Sequence, residues 1–281
     1  MRQRKNELTA ERGLELLERH WKWVVVAFWL LFCAWFILTR LNAIWFFSLG
    51  DTDDNMRMMQ VRGLLHGQGW FDLAQHRLAG SNIHWSRLVD LPIAGLILIL
   101  RPLLGGAAAE RFACGFAPLI PLSLAMTAMA VTIRRLIEPY IWPLGLIILV
   151  FACTSTMLMF APERIDHHGW QLAFVALAIS AIADRNRVRG GIVLGVATAL
   201  SLAIGLEMLP YCVMAGAIVA LRWIWDAAEA RRLQAYALTL SGGSALGFAA
   251  FASNANQAMR CDALTPVWLS AVIAAASAGV G

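Results

Sequence analysis

Long apolar runs separated by short arginine-bearing clusters govern what this chain can become. Runs at 23–39, 109–133, 139–157, 169–183, 190–206, 209–225, 234–252 and 265–281 carry few charges. About 20 mostly apolar residues cross a bilayer as helix, and the shorter runs reach that length once their flanks are counted. The chain is 59% hydrophobic, well above the roughly 45–50% of soluble domains, and its mean hydropathy is +0.64. The expected fold is therefore all-α, a polytopic transmembrane helical bundle of about eight spans. A charged, amphipathic stretch at 1–22 reads as a cytoplasmic lead-in, and 23–281 as one membrane domain. The chain stops in an apolar run, Val267–Gly281, without a polar tail, which leads to the expectation that it is the first part of a longer protein.

One segment decides sidedness. Leu91–Leu104 contains Arg101-Pro102 and runs into Gly105-Gly106. It is short for a span and suits a re-entrant or interfacial helix. If it does not cross and the N-terminus lies inside, Arg134-Arg135, then Arg185, Arg187 and Arg189, then Arg222, Arg231 and Arg232 all fall in cytoplasmic loops. If it crosses, all three clusters move outside, against the positive-inside rule. The first topology makes 42–108 a large external loop. It also places the Asp166 loop and 253–264 outside, so that Asp51 and Asp166 share one face. An inner (cytoplasmic) membrane with the active face periplasmic or extracellular follows. The net charge of +5 is spread over short loop clusters and does not point to nucleic acid. Cys33, Cys114, Cys153, Cys212 and Cys261 form no CxxC pair and read as small packing residues.

Chemistry concentrates at the ends of the runs. Asp51, Asp53 and Asp54 crowd three carboxylates that repel unless a cation or arginines compensate, an arrangement that suits a hard divalent ion. The same residues also suit a solvated turn and a helix N-cap. Asp166-His167-His168 offers a carboxylate with imidazole, a donor set for Mn²⁺, Zn²⁺ or Fe²⁺ as well as Mg²⁺, or alternatively a polar helix cap. In His84-Trp85-Ser86-Arg87, Arg87 could bind a phosphate and Trp85 could stack on a sugar or anchor in the aromatic belt. Glu207 lies at the external end of a span as a third carboxylate or a plain interfacial residue. Arg260, beside Asp262, is a second candidate phosphate contact.

The spacing Asp51-x-x-x-x-x-Arg57, at the start of the first external loop and followed by an amphipathic helix, resembles the GT-C glycosyltransferase superfamily. The oligosaccharyltransferase catalytic subunits are the nearest likeness, and Asp166 and His168 fall where their next external loop holds metal. The resemblance covers roughly residues 20–210. It implies a metal-assisted membrane glycosyltransferase that takes a sugar from a polyprenyl-(pyro)phosphate donor in the lipid bilayer. Asp51 would be the catalytic carboxylate, and Asp51, Asp53, Asp166 and His168 would hold Mg²⁺ or Mn²⁺. Arg57, Arg87, Trp85, Glu207 and Arg260 would contact substrate. No Trp-Trp-Asp signature occurs in the sequence, so the expected acceptor is not a protein asparagine. A transporter or flippase-like protein that binds a cation or lipid headgroup at the same acidic cluster is the alternative, and a structural subunit with an inert loop is a third.

Overall fold

Apolar runs fold as helices because a chain with few internal charges and few buried polar partners satisfies its backbone most simply within itself. The computed structural model describes residues 12–75 and 81–279. Its helices are α1 (Trp21–Thr39), α2 (Leu41–Phe46), α3 (Thr52–Leu65), α4 (Asp90–Leu104), α5 (Gly106–Phe116), α6 (Leu119–Leu136), α7 (Trp142–Ala152), α8 (Thr154–Leu158), α9 (His168–Ile182), α10 (Arg187–Ile204), α11 (Leu209–Trp225), α12 (Ala230–Phe251) and α13 (Pro266–Ser277). A two-residue antiparallel ladder, β1 (Ala74–Gln75) with β2 (Ser81–Asn82), pairs Ala74 with Asn82 and Gln75 with Ser81. The lead-in 1–22 falls partly outside the described residues; from Arg12 it is helical and runs on towards Thr39.

Local chemistry sets the helix ends. Asp51 is extended (φ −137°) and its carboxylate accepts the Asp53 N–H at 3.3 Å, with Asp53 and Asp54 in the first turn of α3, where negative charge favours a helix start. Asn186 caps α10 in the same way, accepting the Arg189 N–H at 3.0 Å. Pro143, Pro210 and Pro266 stand in the first turns of α7, α11 and α13, where a missing N–H costs nothing.

Among the described residues, three helical stretches are long and apolar enough to cross a membrane: Arg12–Thr39, Gly106–Leu136 and Arg187–Ile204. Shorter apolar helices are Trp142–Ala152, His168–Ile182, Leu209–Trp225 and Pro266–Ser277. The expectation of about eight spans thus meets several apolar helices too short to cross a bilayer unaided. At about 1.5 Å per residue, α9 with 15 residues is near 22 Å long against a hydrocarbon core of about 30 Å. The run 139–157 is divided at Cys153 into α7 and α8. The outer face of α1 exposes Leu30, Leu31, Trp35 and Leu38, a surface at home in lipid and costly in water.

The run 91–104 is a single helix, α4, joined to α5 through Gly105 alone, which takes φ +80°. The two helices lie against each other, with Ile93, Ala94 and Ile97 packed on Ala109, Ala113 and Ala117. Leu98, Ile99, Leu103 and Leu104 remain exposed at the Gly105 end.

The main bundle is α1, α6, α9, α10, α12 and α13 in successive contact, with α7 on α6 and α11 on α9 and α12. One core joins α1, α6 and α7 through Phe32, Leu122, Met126 and Trp142. A second fills α9 to α12. The α10–α12 seam is the closest: Gly191 and Gly195 lie against the α12 backbone, so that a Cβ on Gly195 would come 2.8 Å from the Tyr236 carbonyl oxygen. Small residues permit such approach.

Polar groups gather at two opposite ends. At one, Arg135 and Arg189 both reach Asp184 at 2.8 Å, while Glu229 receives Arg187 at 3.0 Å, Arg222 at 3.1 Å and Arg232 at 2.6 Å. At the other end meet the starts of α3 and α9, the α10–α11 turn and the segment after α12.

Candidate functional site

Four loops converge at that second end. The Leu206 N–H reaches the Asp262 carbonyl at 3.4 Å, the Asn254 N–H reaches the Phe71 carbonyl at 2.8 Å, and the Asn256 side chain donates to the His84 carbonyl at 2.9 Å. Upon this frame stands a chain of alternating acids and bases. Arg164 Nη1 donates to Asp51 Oδ2 at 2.7 Å and to Asp54 Oδ2 at 3.0 Å, and Nη2 lies 3.5 Å from Asp166 Oδ2. Asp54 Oδ1 accepts the Asp166 N–H at 3.0 Å. Asp166 Oδ1 accepts the His167 N–H at 2.6 Å and lies 2.5 Å from His167 Nδ1, while its Oδ2 contacts His168 Nδ1. His167 Nε2 faces Glu207 Oε1 at 3.0 Å. The Gln171 amide donates to Glu207 Oε2 at 2.6 Å. His84 bridges Glu207 and Asp262 at 3.5 Å each.

The electrostatics follow from burial and partners. Asp51, whose side chain is 42% exposed, is held below the usual carboxylate range by the Arg164 guanidinium and the Asp53 N–H. Asp54 is fully buried, and burial pushes its carboxyl up to about 6 against the pull of Arg164. For Asp166 burial works upward, yet hydrogen bonds from His167 and His168 hold it well below the ordinary range. Glu207 shows the same contest, won by His167 and His84. Hydrogen bonding to Asp166 raises His168.

The structure joins Asp51 and Asp166 through Arg164, so an arginine occupies the place between them where a shared ion was expected. Asp53 lies outside this contact set and its backbone N–H serves the α3 cap; Asp54 turns inward instead, because the helical turn points it at Arg164. Arg57 and Arg87 are fully buried. Arg57 donates to Asp90 at 2.9 Å and the Ser86 carbonyl at 3.2 Å, lies 3.4 Å from His167 Nδ1, and stands 5.0 Å over the Trp85 ring. Arg87 donates to the carbonyls of Trp70 (2.7 Å), Gln60 (3.3 Å), Gly69 (3.2 Å) and Asp72 (2.7 Å) and to Asp90 (3.4 Å). A guanidinium so enclosed ties the loop after α3 to the helix itself and offers little to a phosphate. Trp85 is 5% exposed and packs its ring 4.9 Å from His167, supporting that imidazole instead of an open face. Glu207 stands within the network. Arg260 is half-buried and donates to the Ala255 carbonyl at 3.1 Å; among the described residues nothing joins it to the acidic chain.

Sequence reasoning names Asp54 and His167 only within their clusters, gives them no separate role, and assigns none to Glu163, Arg164 or His84. The charged stretch 163–168 and the carboxylate excess at 51–54 were the available signals, since repelling carboxylates need a cation. Glu163 is buried with φ +73°, and neither oxygen makes a hydrogen bond of ordinary geometry among the described residues. Burial, then the charge of Asp54, push its carboxyl up to about 7, with the Ser48 N–H pulling the other way.

One ligand atom from each of Asp166, His167 and His168 lies within 4.8 Å of the others, the spacing a metal-ligand trio would need. One carboxylate with two imidazoles fits Mn²⁺ better than Mg²⁺, which prefers oxygen ligands and retains its waters. No family model, curated protein or solved structure matches this chain.

Proposed function

We propose that this chain is a membrane-embedded glycosyltransferase of GT-C type, moving a sugar from a polyprenyl-(pyro)phosphate donor to a non-protein-asparagine acceptor at the acidic end of the bundle. The observation that carries the reading is the linked set Asp51–Arg164–Asp166–His168, in which one exposed carboxylate is wired to a possible metal-ligand trio. Asp166, His167 and His168 would hold Mn²⁺, and a bound divalent ion neutralises charge on a leaving phosphate. Asp51 is the substantially exposed member of the 51–54 trio that contacts Arg164. Ionised and fixed by Arg164, it would orient an acceptor hydroxyl and take its proton as the acceptor oxygen bonds the sugar carbon and the sugar–phosphate bond breaks, the lipid phosphate leaving with the bonding electrons. Arg164, partly exposed, adds positive charge where phosphate charge develops. Glu207, itself held by the Gln171 amide, would hold His167 in place, as partners of ligating imidazoles do.

The test is sugar transfer by the purified chain from polyprenyl-phosphate donors, with radiolabelled product extracted into the lipid and aqueous phases. Asp51→Asn should lose at least about a hundredfold in rate, and EDTA should abolish transfer until Mn²⁺ is restored. Unchanged turnover in Asp51→Asn sinks the assignment of that carboxylate, and EDTA-insensitive transfer removes the metal.

A further inference from the structure

At the end of the bundle opposite the candidate site, a cavity of about 420 Å³ is lined by Arg134, Arg135, Arg185, Arg189, Trp21 and two acids, Glu18 and Asp184. We propose that this cavity binds a phosphodiester anion, with the headgroup of an anionic phospholipid as its membrane source. The inference rests on the membrane reading of the chain and is independent of the proposed transfer activity.

Four guanidiniums face two carboxylates here, a formal excess of two positive charges. Two arginines are committed. Arg189 directs Nε and Nη2 to Asp184, both at 2.8 Å. Arg135 donates to the same carboxylate at 2.8 Å and to the Ser180 carbonyl at 2.6 Å. Two retain donors. Among the described residues Arg134 makes one side-chain hydrogen bond, to the Pro139 carbonyl at 3.0 Å, and its guanidinium stands 4.9 Å over the Trp21 ring. Arg185 is exposed and has no ion-pair partner among the described residues. Glu18 accepts from the Tyr140 hydroxyl at 3.1 Å and makes no ion pair among the described residues, so it sets one wall without cancelling either free arginine by contact.

The geometry suits phosphate more than a carboxylate-bearing peptide. Guanidinium forks match tetrahedral phosphate oxygens bidentately. The cavity lies in the size range of small-ligand sites. Its remaining walls are Trp21, Val131 and Pro139, an interfacial aromatic and an aliphatic from the helices that bound the bundle there with a loop proline beside them, a place where indole rings sit at headgroup level. Basic pockets between membrane helices take anionic headgroups for these reasons. Loop arginines placed only to orient the chain in the membrane have no need to converge on one hollow.

The experiment uses the full chain in neutral detergent and a fluorescent phosphatidylglycerol probe, with fluorescent phosphatidylcholine beside it. Phosphatidylglycerol should bind saturably and more tightly, and binding should weaken as salt is added. Arg185→Gln removes an exposed residue without stranding a buried partner and should weaken binding roughly fivefold; Arg134→Gln combined with it should weaken binding further. Arg231→Gln, an exposed arginine of the same end that does not line the cavity, removes the same charge and should leave binding unchanged. Equal losses in Arg185→Gln and Arg231→Gln mean a diffuse basic surface and overturn the proposal, as does equal affinity for the two probes. Displacement of the probe by millimolar inorganic phosphate identifies the phosphate group itself as the ligand. Failure of phosphate to displace a probe that still discriminates Arg185 from Arg231 identifies the lipid.

Discussion

Glu163 is the least comfortable residue of the chain. It combines left-handed backbone, burial and a carboxyl without an ordinary hydrogen bond, each a cost that neighbouring structure must offset. Its folded value of about 7 lies above the ordinary 4.5. The folded state therefore holds the proton more firmly than the unfolded chain. The stabilisation of the neutral form is complete below about pH 4 and is lost as pH rises through about 7. Glu163→Gln keeps the shape and removes the titration. Its melting temperature in detergent should fall less than that of the parent between pH 5 and pH 8, and the variant should be the more stable protein at pH 8. Parallel melting curves for the two proteins across that range would refute this assignment. Arg164, the next residue, has the opposite standing. It satisfies three carboxylates that would otherwise repel, and no reading of residue spacing could have assigned it that place. Its partners at 51 and 54 are more than a hundred residues away in sequence, and only the packing of α3 beside the start of α9 introduces them. What composition made legible at this scale was the need for a cation near 51–54; whether the cation is a metal or a guanidinium depends on tertiary contact.

Helices were the legible elements because apolar runs free of charge leave the backbone no other economical partner. The reading of 91–104 as a short helix corresponds to α4, since Arg101-Pro102 and Gly105 mark its end by ordinary backbone chemistry. Lengths were harder to read. Hydropathy measures where a chain can be buried, whereas a helix stops where caps, glycines or a tertiary contact stop it, as at Cys153 between α7 and α8. Arg57 and Arg87 show the same limit, for a basic residue beside an aromatic one looks alike in sequence whether it faces substrate or locks a loop. The α10–α12 seam depends on glycines whose role is also tertiary. A Cβ on Gly195 meets the Tyr236 carbonyl at 2.8 Å and the Leu240 amide nitrogen at 2.9 Å, both backbone atoms that cannot swing aside. Gly195→Leu should therefore push α10 from α12 and lower the melting temperature, with a cost of about 1–3 kcal/mol or more. Gly242, in α12, has no atom within 4 Å of such a Cβ, so Gly242→Ala should match or slightly exceed the parent. Equal behaviour of the two variants in size-exclusion and melting experiments would show that the seam does not depend on close approach.

At the scale of the whole molecule, the chain is bipolar: arginine clusters close one end, and the acid–histidine network closes the other. Under the positive-inside rule we propose that the arginine end faces the cytoplasm, which would put Asp51, Asp166 and Glu207 outside together. Cysteines provide the test. Cys261 is exposed, near the acidic end, whereas Cys33, Cys114 and Cys212 are buried and Cys153 is half-buried. In a Cys153→Ala background, a membrane-impermeant maleimide added to intact cells should label Cys261. With Cys261 also replaced by alanine, a cysteine introduced by Arg185→Cys should label only after the membrane is opened. The reverse pattern would invert the orientation and place the carboxylate network in the cytoplasm, where sugar transfer at an external face has no site. Labelling of both positions in intact cells would mean that the bundle does not separate two compartments at all. The expected asymmetry would instead tie both ends to one physical arrangement, with the arginines and their phosphate-sized hollow on the leaflet where negative headgroups and basic loops attract, and the exposed Asp51 on the opposite leaflet, where Arg164 and the histidines can meet a lipid-linked donor.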